Sequence, residues 1–428
     1  MKLCLVLHDR LRRYFSMSNL SDADRLRIPV DQLAIGMYVV ELDRAWTETA
    51  FLFQGFRIRQ QQEIRLLQEI CQYVWVDARR SVGIRQQARE NQAAQEVDLQ
   101  PLIGKVSFSA EMAQAEPAYQ AAREQSLRIL QAVRLGQALD VATVKEVVKG
   151  CVESILRNPA AMLWLARIKH KDEYTSEHSL RVAILSIALG RELGLLPLQL
   201  EQIGVCGMLH DVGKIKVPEE ILNKPGALTP EELLIMQSHA TEGRKLLLSN
   251  QQVTAATVDV AYSHHERLDG RGYPRGLDAA RIPYFAKIVA VVDSYDAINS
   301  DRVYSKGKSS LESLRILFDA RDSHFDADVV KAFIHLIGIY PPGEIVEFSN
   351  GEVGIIIGCP PGNKLKPRVL IVLNEGKQRC KERVVDLQEA PRDICGRPYR
   401  VKEVLSCGAF GISIDEYRQR GLIVPGNL

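Results

Sequence analysis

The run Met208-Leu209-His210-Asp211-Val212-Gly213-Lys214 restricts what this chain can fold into more than any other stretch. Leu200, Ile203, Gly207 and His210 recur at spacings of three and four, so the imidazole continues the inward face of an apolar helix. Gly213 is then expected to stop that helix. A neutral imidazole beside a carboxylate, directed into a core with no basic partner in the local sequence, is costly to bury unless a cation compensates them. A metal ion is the natural candidate.

Neighbouring helices repeat the pattern. His178 heads the run Val182, Leu185, Leu189, Leu193 on one helix face. Thr229-Pro230-Glu231-Glu232 is a capping box that starts a helix on which Met236, His239, Gly243 and Leu246 share a side. His264 and His265 follow, and Asp293 lines up with Ala286, Val289 and Ala297, small neighbours that leave room for a ligand. Successive groups lie about 25 to 32 residues apart, one helix plus its loop, so a bundle can bring them together. A lone histidine of this kind is more often a hydrogen-bonded core residue than a ligand. Five of the nine histidines facing inward within about ninety residues, with two aspartates and no comparable set of buried arginines, reverse that weighting. Nitrogen and oxygen donors without cysteine favour iron, manganese or another borderline-to-hard ion.

At 428 residues the chain is too long for one core and reads as two to four domains. A net charge of +2, spread over charges of both signs, gives no footprint of a nucleic-acid polymer or a membrane surface. The eight cysteines form no CxxC pair, as in a reduced, cytoplasmic protein. Leu3 to Leu7 is too short for a signal-peptide core or membrane span. The first sixteen residues read as dispensable, with Met17 as an alternative start.

The pattern predicts a multidomain chain: an all-α helical bundle over 159–340, a small α/β domain over 28–84 before it, and a small β-rich domain over 341–428 after it. Residues 85–158 read as a polar linker and two connecting helices, 111–135 and 140–156. In the N-terminal unit, residues 38–40, 51–53 and 73–76 read as strands and 61–71 as a helix; input, contact or dimerisation into a homodimer are the roles open to it. Beyond Tyr340-Pro341-Pro342-Gly343 the period becomes β-type, with strands expected at 344–348, 354–357 and 368–373.

His210-Asp211-Val212-Gly213-Lys214 resembles the HDxGK motif of HD-domain phosphohydrolases. His264 to Pro274 matches the HHExxDGxGYP motif of the HD-GYP subgroup in full. Asp172, Tyr174, Thr175, His178, Arg181 and Val182 are similar to the family's DxYTxxHSxRV entry helix, and Asp293 to Tyr304 to its DxYDAxxxxRxY helix. The stretch Val30 to Asp77 is similar to a domain of unknown function that often precedes HD-GYP domains.

This resemblance implies an HD-type bundle that hydrolyses cyclic di-GMP to linear pGpG, and on to GMP in some members. It implies one ion among His178, His210, Asp211 and Asp293, and another among His239, His264, His265 and the bridging Asp211. A third ion, which some members hold through a glutamate one turn before the first histidine, is not expected because Tyr174 stands there. Two cations sharing a water would activate it for in-line attack, with Asp211 as the bridge. Lys214 would neutralise charge on the phosphoryl oxygens, although a lysine there also suits a helix terminus. Arg302 would contact substrate; Ser305 replaces a basic residue common in the family, with Lys306 next to it. The loop of Asp269, Gly270, Gly272, Tyr273 and Pro274 either places the histidine pair or offers a surface to substrate and to diguanylate cyclase domains. The competing expectations are hydrolysis of a hybrid cyclic dinucleotide such as cyclic GMP-AMP, and a catalytically silent sensor or scaffold.

Overall fold

The structure is a computed structural model that describes residues 25–43, 56–58, 61–77, 106–167, 174–300, 307–359, 365–406 and 408–420. The described residues fall into two compact units, a small one before Gln100 and a large one after it.

The small unit is an antiparallel sheet of β1 (Arg25–Pro29), β2 (Tyr38–Leu42), β3 (Phe56–Arg57) and β4 (Tyr73–Asp77), with helix α1 (Gln61–Ile70), in the order β1-β4-β2-β3. Helical spacing puts Ile64 and Leu67 of α1 into a core with Val39, Leu42, Val74 and Val76. The sheet begins three residues before the expected boundary at Ile28, because Arg25 pairs with Asp77 across β4. The strand expected at 51–53 lies outside the described residues.

The large unit is mostly helical. Ser107 and Asp140 cap α2 (Phe108–Arg134) and α3 (Val141–Arg157), each accepting a backbone N–H in the first turn. Both bury apolar faces in the main core, through Ala115 and Tyr119 on α2 and Val144, Val148 and Ile155 on α3. Then come α4 (Pro159–Arg167), α5 (Tyr174–Glu192), α6 (Pro197–Leu209), the short α7 (Glu219–Leu222), α8 (Pro230–Leu248), α9 (Ala255–Ser263), α10 (Tyr284–Asn299), α11 (Ser310–Asp319) and α12 (Ala327–Ile337). Among the described residues no helix is long and apolar enough to cross a membrane.

After α12 come β5 (Ile345–Phe348), β6 (Val353–Gly358), β7 (Arg368–Leu373), β8 (Arg379–Asp386) and β9 (Val401–Leu405), an antiparallel sheet in the order β8-β7-β6-β5-β9. Its inward residues Ile345, Val353, Ile355 and Leu370 join one apolar cluster with Met162, Trp164 and Leu165 of α4. Arg167 ties the junction by donating to the Pro342 carbonyl at 3.1 Å and pairing with Glu344 at 3.3 Å.

The central pair α5 and α6 meets through glycines. A Cβ at Gly207 would stand 2.9 Å from the Ala183 backbone, and one at Gly204 2.8 Å from Ile187, both on α5. The chain after α6 corrects one expectation. Gly213 does not stop a helix: α6 ends at Leu209, His210 keeps right-handed helical angles, and Gly213 lies inside a 3-10 turn over Val212–Lys216. What excludes a side chain there is packing, since a Cβ would lie 2.0 Å from the His239 carbonyl oxygen and 2.4 Å from the Gly243 amide nitrogen. Gly213→Ala should therefore destabilise the protein by about 3 kcal/mol and weaken manganese retention. Thermal unfolding and metal analysis after desalting check both, and a melting midpoint equal to the parent's would contradict the packing argument.

Candidate metal centre

Asp211 lies where five elements converge. Its Oδ2 is 3.3 Å from His210 Nε2 and 3.6 Å from His178 Nε2, while its Oδ1 is 3.4 Å from His239 Nε2 and 3.6 Å from His264 Nε2. Asp293 adds an oxygen 3.1 Å from His178 Nε2 and 3.8 Å from His210 Nε2. Their donor atoms form three overlapping groups: Asp211, His239, His264 and His265; His178, His210 and Asp211; and His210, His264 and Asp293. Within each group all donor atoms lie within 4.8 Å of one another. The histidines and aspartates named from helix faces thus come together at one place; Arg302 and Lys306 lie outside the described residues.

The second nitrogen of each ring explains why the first faces inward. Nδ1 of His210 donates to the Gly207 carbonyl at 2.7 Å and Nδ1 of His239 to the Met236 carbonyl at 2.7 Å. Nδ1 of His264 faces the Val260 and Ala261 carbonyls at 3.1 Å, and Nδ1 of His178 donates to Asp296 at 2.7 Å. An acceptor at Nδ1 fixes the tautomer and leaves the Nε2 lone pair for a ligand.

Burial opposes charge throughout the site, yet the carboxylates dominate on one side. Asp211 and Asp293 hold His210 up to about 10, and Asp293 and Asp296 raise His178. Both aspartates remain charged against burial, lowered by Lys214 and the imidazoles. On the other side burial prevails, lowering His239 to about 4 and His265 well below its ordinary value. His210 Nε2 and Asp211 Oδ1 are buried without a hydrogen-bond partner. Two orphaned polar atoms aimed into a shared space lined by imidazole and carboxylate donors fit divalent cations.

The loop after the histidine pair is clamped to it. Buried Glu266 accepts the amides of Arg275 and Leu277 at 2.8 Å each. Gly270 takes φ +74°, and a Cβ at Gly272 would lie 2.4 Å from the Arg267 nitrogen, so the loop lies directly on the turn that carries His265. Tyr273 stacks on the His265 ring at 4.6 Å, and the Tyr273–Pro274 peptide is cis. Asp269 holds Arg267 at 2.7 Å at the exposed end of the loop.

Two residues quoted in the motifs were given no task by the sequence reading. Asp296 receives His178 Nδ1 and is gripped by the buried Arg181 at 2.7 and 2.9 Å. Each lies three residues after a proposed ligand, Asp296 after Asp293 and Arg181 after His178, and that spacing was the available signal. Arg181 bears on the expectation of no comparable set of buried arginines to neutralise the ligands: it is buried, but it pairs with Asp296 instead of the ligands.

Residues 165–329 match the family described as HD domain, and residues 25–144 match a domain of unknown function, DUF3391. The chain is 38% identical over 370 residues to the cyclic di-GMP phosphodiesterase PA4108 of Pseudomonas aeruginosa, covering 85% of this chain and 89% of that one. The chain belongs to the HD-GYP cyclic di-GMP phosphodiesterase family. It is 41% identical across 169 residues to a cyclic di-GMP phosphodiesterase of Thermotoga maritima, covering 39% of this chain and 46% of that one. It is 40% identical across 159 residues to the 3'3'-cGAMP-specific phosphodiesterase 1 of Vibrio cholerae, covering 37% and 36%. As an HD-GYP protein it is a metal-dependent phosphodiesterase.

The imidazole charges give a pH test. In the metal-free HD-GYP site His210, held up to about 10 by the neighbouring carboxylates, is protonated near neutral pH, whereas a metal takes the neutral ring. Manganese uptake should release at least about one proton, read by titration calorimetry in buffers of different ionisation heat. Because His210 rises from 6.5 to about 10 on folding, its stabilisation is complete below 6.5 and is lost as pH climbs through about 10. The melting midpoint of the metal-free protein should fall across that window, and the loaded protein should be spared.

Proposed function

We propose that this chain hydrolyses cyclic di-GMP to linear pGpG at two divalent ions, iron or manganese, held by His178, His210, Asp211 and Asp293 on one side and by Asp211, His239, His264 and His265 on the other. The observation that carries the reading is Asp211, whose two carboxylate oxygens face separate groups of histidines. The substrate rests on the cyclic di-GMP phosphodiesterase of P. aeruginosa, to which the similarity runs through both units. Ions bound there supply Lewis acidity, bringing the pKa of water towards neutrality and offsetting phosphodiester charge.

The protein's own groups do the rest. Fixed tautomers aim the imidazoles, so the site needs little reorganisation when a phosphodiester arrives. Lys214 lies against Asp211 and is part-exposed, positioned to move its charge to a phosphoryl oxygen in the transition state. Tyr273 over His265 shields that side of the site from water. A complete donor set speaks against the silent scaffold.

A second reading, a hybrid cyclic dinucleotide, draws on the nearly equal identity, over stretches of similar length, to relatives named for cyclic di-GMP and for cGAMP. Base selection would then fall to groups outside the metal ligands. Protein prepared without oxygen, loaded with iron or manganese and given each dinucleotide, should convert cyclic di-GMP faster, with chromatography separating pGpG from GMP. Asp211→Ala should lose turnover and bound metal together, and Lys214→Ala should lower kcat by about 100-fold while keeping its metal. Faster conversion of cyclic GMP-AMP would replace the first reading with the second.

A further inference from the structure

Helix α2 carries no metal ligand, yet it reaches the ligands on two sides. Ser126 approaches Met208 Sδ at 3.6 Å, two residues before His210. Arg123 Nε donates to Glu177 Oε1 at 2.8 Å, one residue before His178. Glu177 is buried and also faces Arg181 Nη1 at 3.4 Å. Arg181 is committed elsewhere, with Nε and Nη2 on the two oxygens of Asp296 at 2.7 and 2.9 Å, and Asp296 holds His178 Nδ1 at 2.7 Å.

The geometry of these four groups makes Arg181 the object of a competition. Glu177 and Asp296 are both buried anions beside it, and Arg123 supplies the second cation. While Arg123 holds Glu177, Arg181 can give both arms of its fork to Asp296, the stronger bidentate arrangement. Without Arg123, buried Glu177 would lose a charged partner, and the adjacent guanidinium of Arg181, already 3.4 Å away, would be drawn towards it. Asp296 would then release its grip on the His178 ring, and partners of this outer kind govern metal affinity.

We propose that Arg123 is a positioning residue for the metal centre, acting through Glu177, Arg181 and Asp296 on His178, and that α2 is thereby an input to catalysis. A separate observation supports the second half. The match to the N-terminal domain of unknown function extends to residue 144 and so includes α2, although α2 packs in the catalytic unit. The sequence module for which input, contact or dimerisation are the open roles therefore includes the helix that touches the ligand network.

The proposal rests on the two-ion reading of the site but not on the identity of the nucleotide, so its test is manganese affinity, followed by the electron paramagnetic signal of free manganese without substrate. Arg123→Gln should weaken binding by about tenfold, and in turnover should lower kcat with KM little changed. Arg123→Lys should recover most of the affinity, and Arg128→Gln, an exposed change on the same helix, should match the parent. The deciding variant removes both charges: Arg123→Gln with Glu177→Gln frees Arg181 for Asp296 and should bind manganese close to the parent. Parental affinity in a folded Arg123→Gln protein would overturn the proposal. If that variant does not fold, the double variant decides alone, and a loss as deep as that of Arg181→Gln would overturn it. A wrong nucleotide assignment would leave all these affinities unchanged while removing turnover from every variant.

Discussion

One carboxylate, Asp211, is the constraint on which the catalytic unit depends. It is buried, fully charged, and addressed from both of its oxygens by imidazoles on four separate segments. An anion in that position is expensive in the absence of a cation. The fold therefore has to bring α5, α6, the 3-10 turn, α8, the end of α9 and α10 close enough for their donors to share a few ångströms. Glycines make that approach possible at Gly207 against Ala183 and Gly213 against His239. Packing and ligand geometry are in this sense one requirement: a methyl group at Gly213 displaces the helix that carries a ligand.

Much of this was legible from helical spacing, because inward histidines at positions such as His178 and His239 continue apolar faces whose period is set by the backbone. The reading of Gly213 failed because a glycine that ends a helix and one that allows contact with a distant backbone look alike in sequence. Strands β8 and β9 went unread because they border the sheet and bury few side chains: Arg379 to Asp386 is largely exposed, so apolar alternation is weak. The three strands that were read are the ones with buried faces. The metal-site support was harder still. Arg181 and Asp296 are ordinary charged residues until the fold sets them 2.7 Å apart across 115 positions of sequence.

The C-terminal sheet shares one apolar cluster with α4, so it packs on the helical core although the change of period sets it apart in the sequence. A change of period marks where secondary structure changes, whereas unit boundaries follow buried area. Trp164 and Met162 pack with Ile345 and Leu370, and Arg167 crosses from α4 to the Pro342 carbonyl, so the sheet contributes to the core that holds α4.

Signs alternate outward from the centre, and the alternation solves a conflict. A metal site needs anionic ligands whose charge is not already neutralised by protein cations, while a stable fold needs its buried anions compensated. If Arg181 paired with Asp293 or Asp211, it would stabilise the metal-free protein and compete with the ion. Its guanidinium instead lies one step out, on Asp296, which in turn holds Nδ1 of His178 and directs its Nε2 towards the site. Arg123 lies one step further, on Glu177. The exception is Lys214, which pairs with Asp211 directly. It is also part-exposed and on a short turn, so it can leave when an ion or a phosphodiester claims the carboxylate's surroundings. Fixed cations thus support the site from behind, and Lys214, the cation on its open side among the described residues, has a charge that the reaction can use.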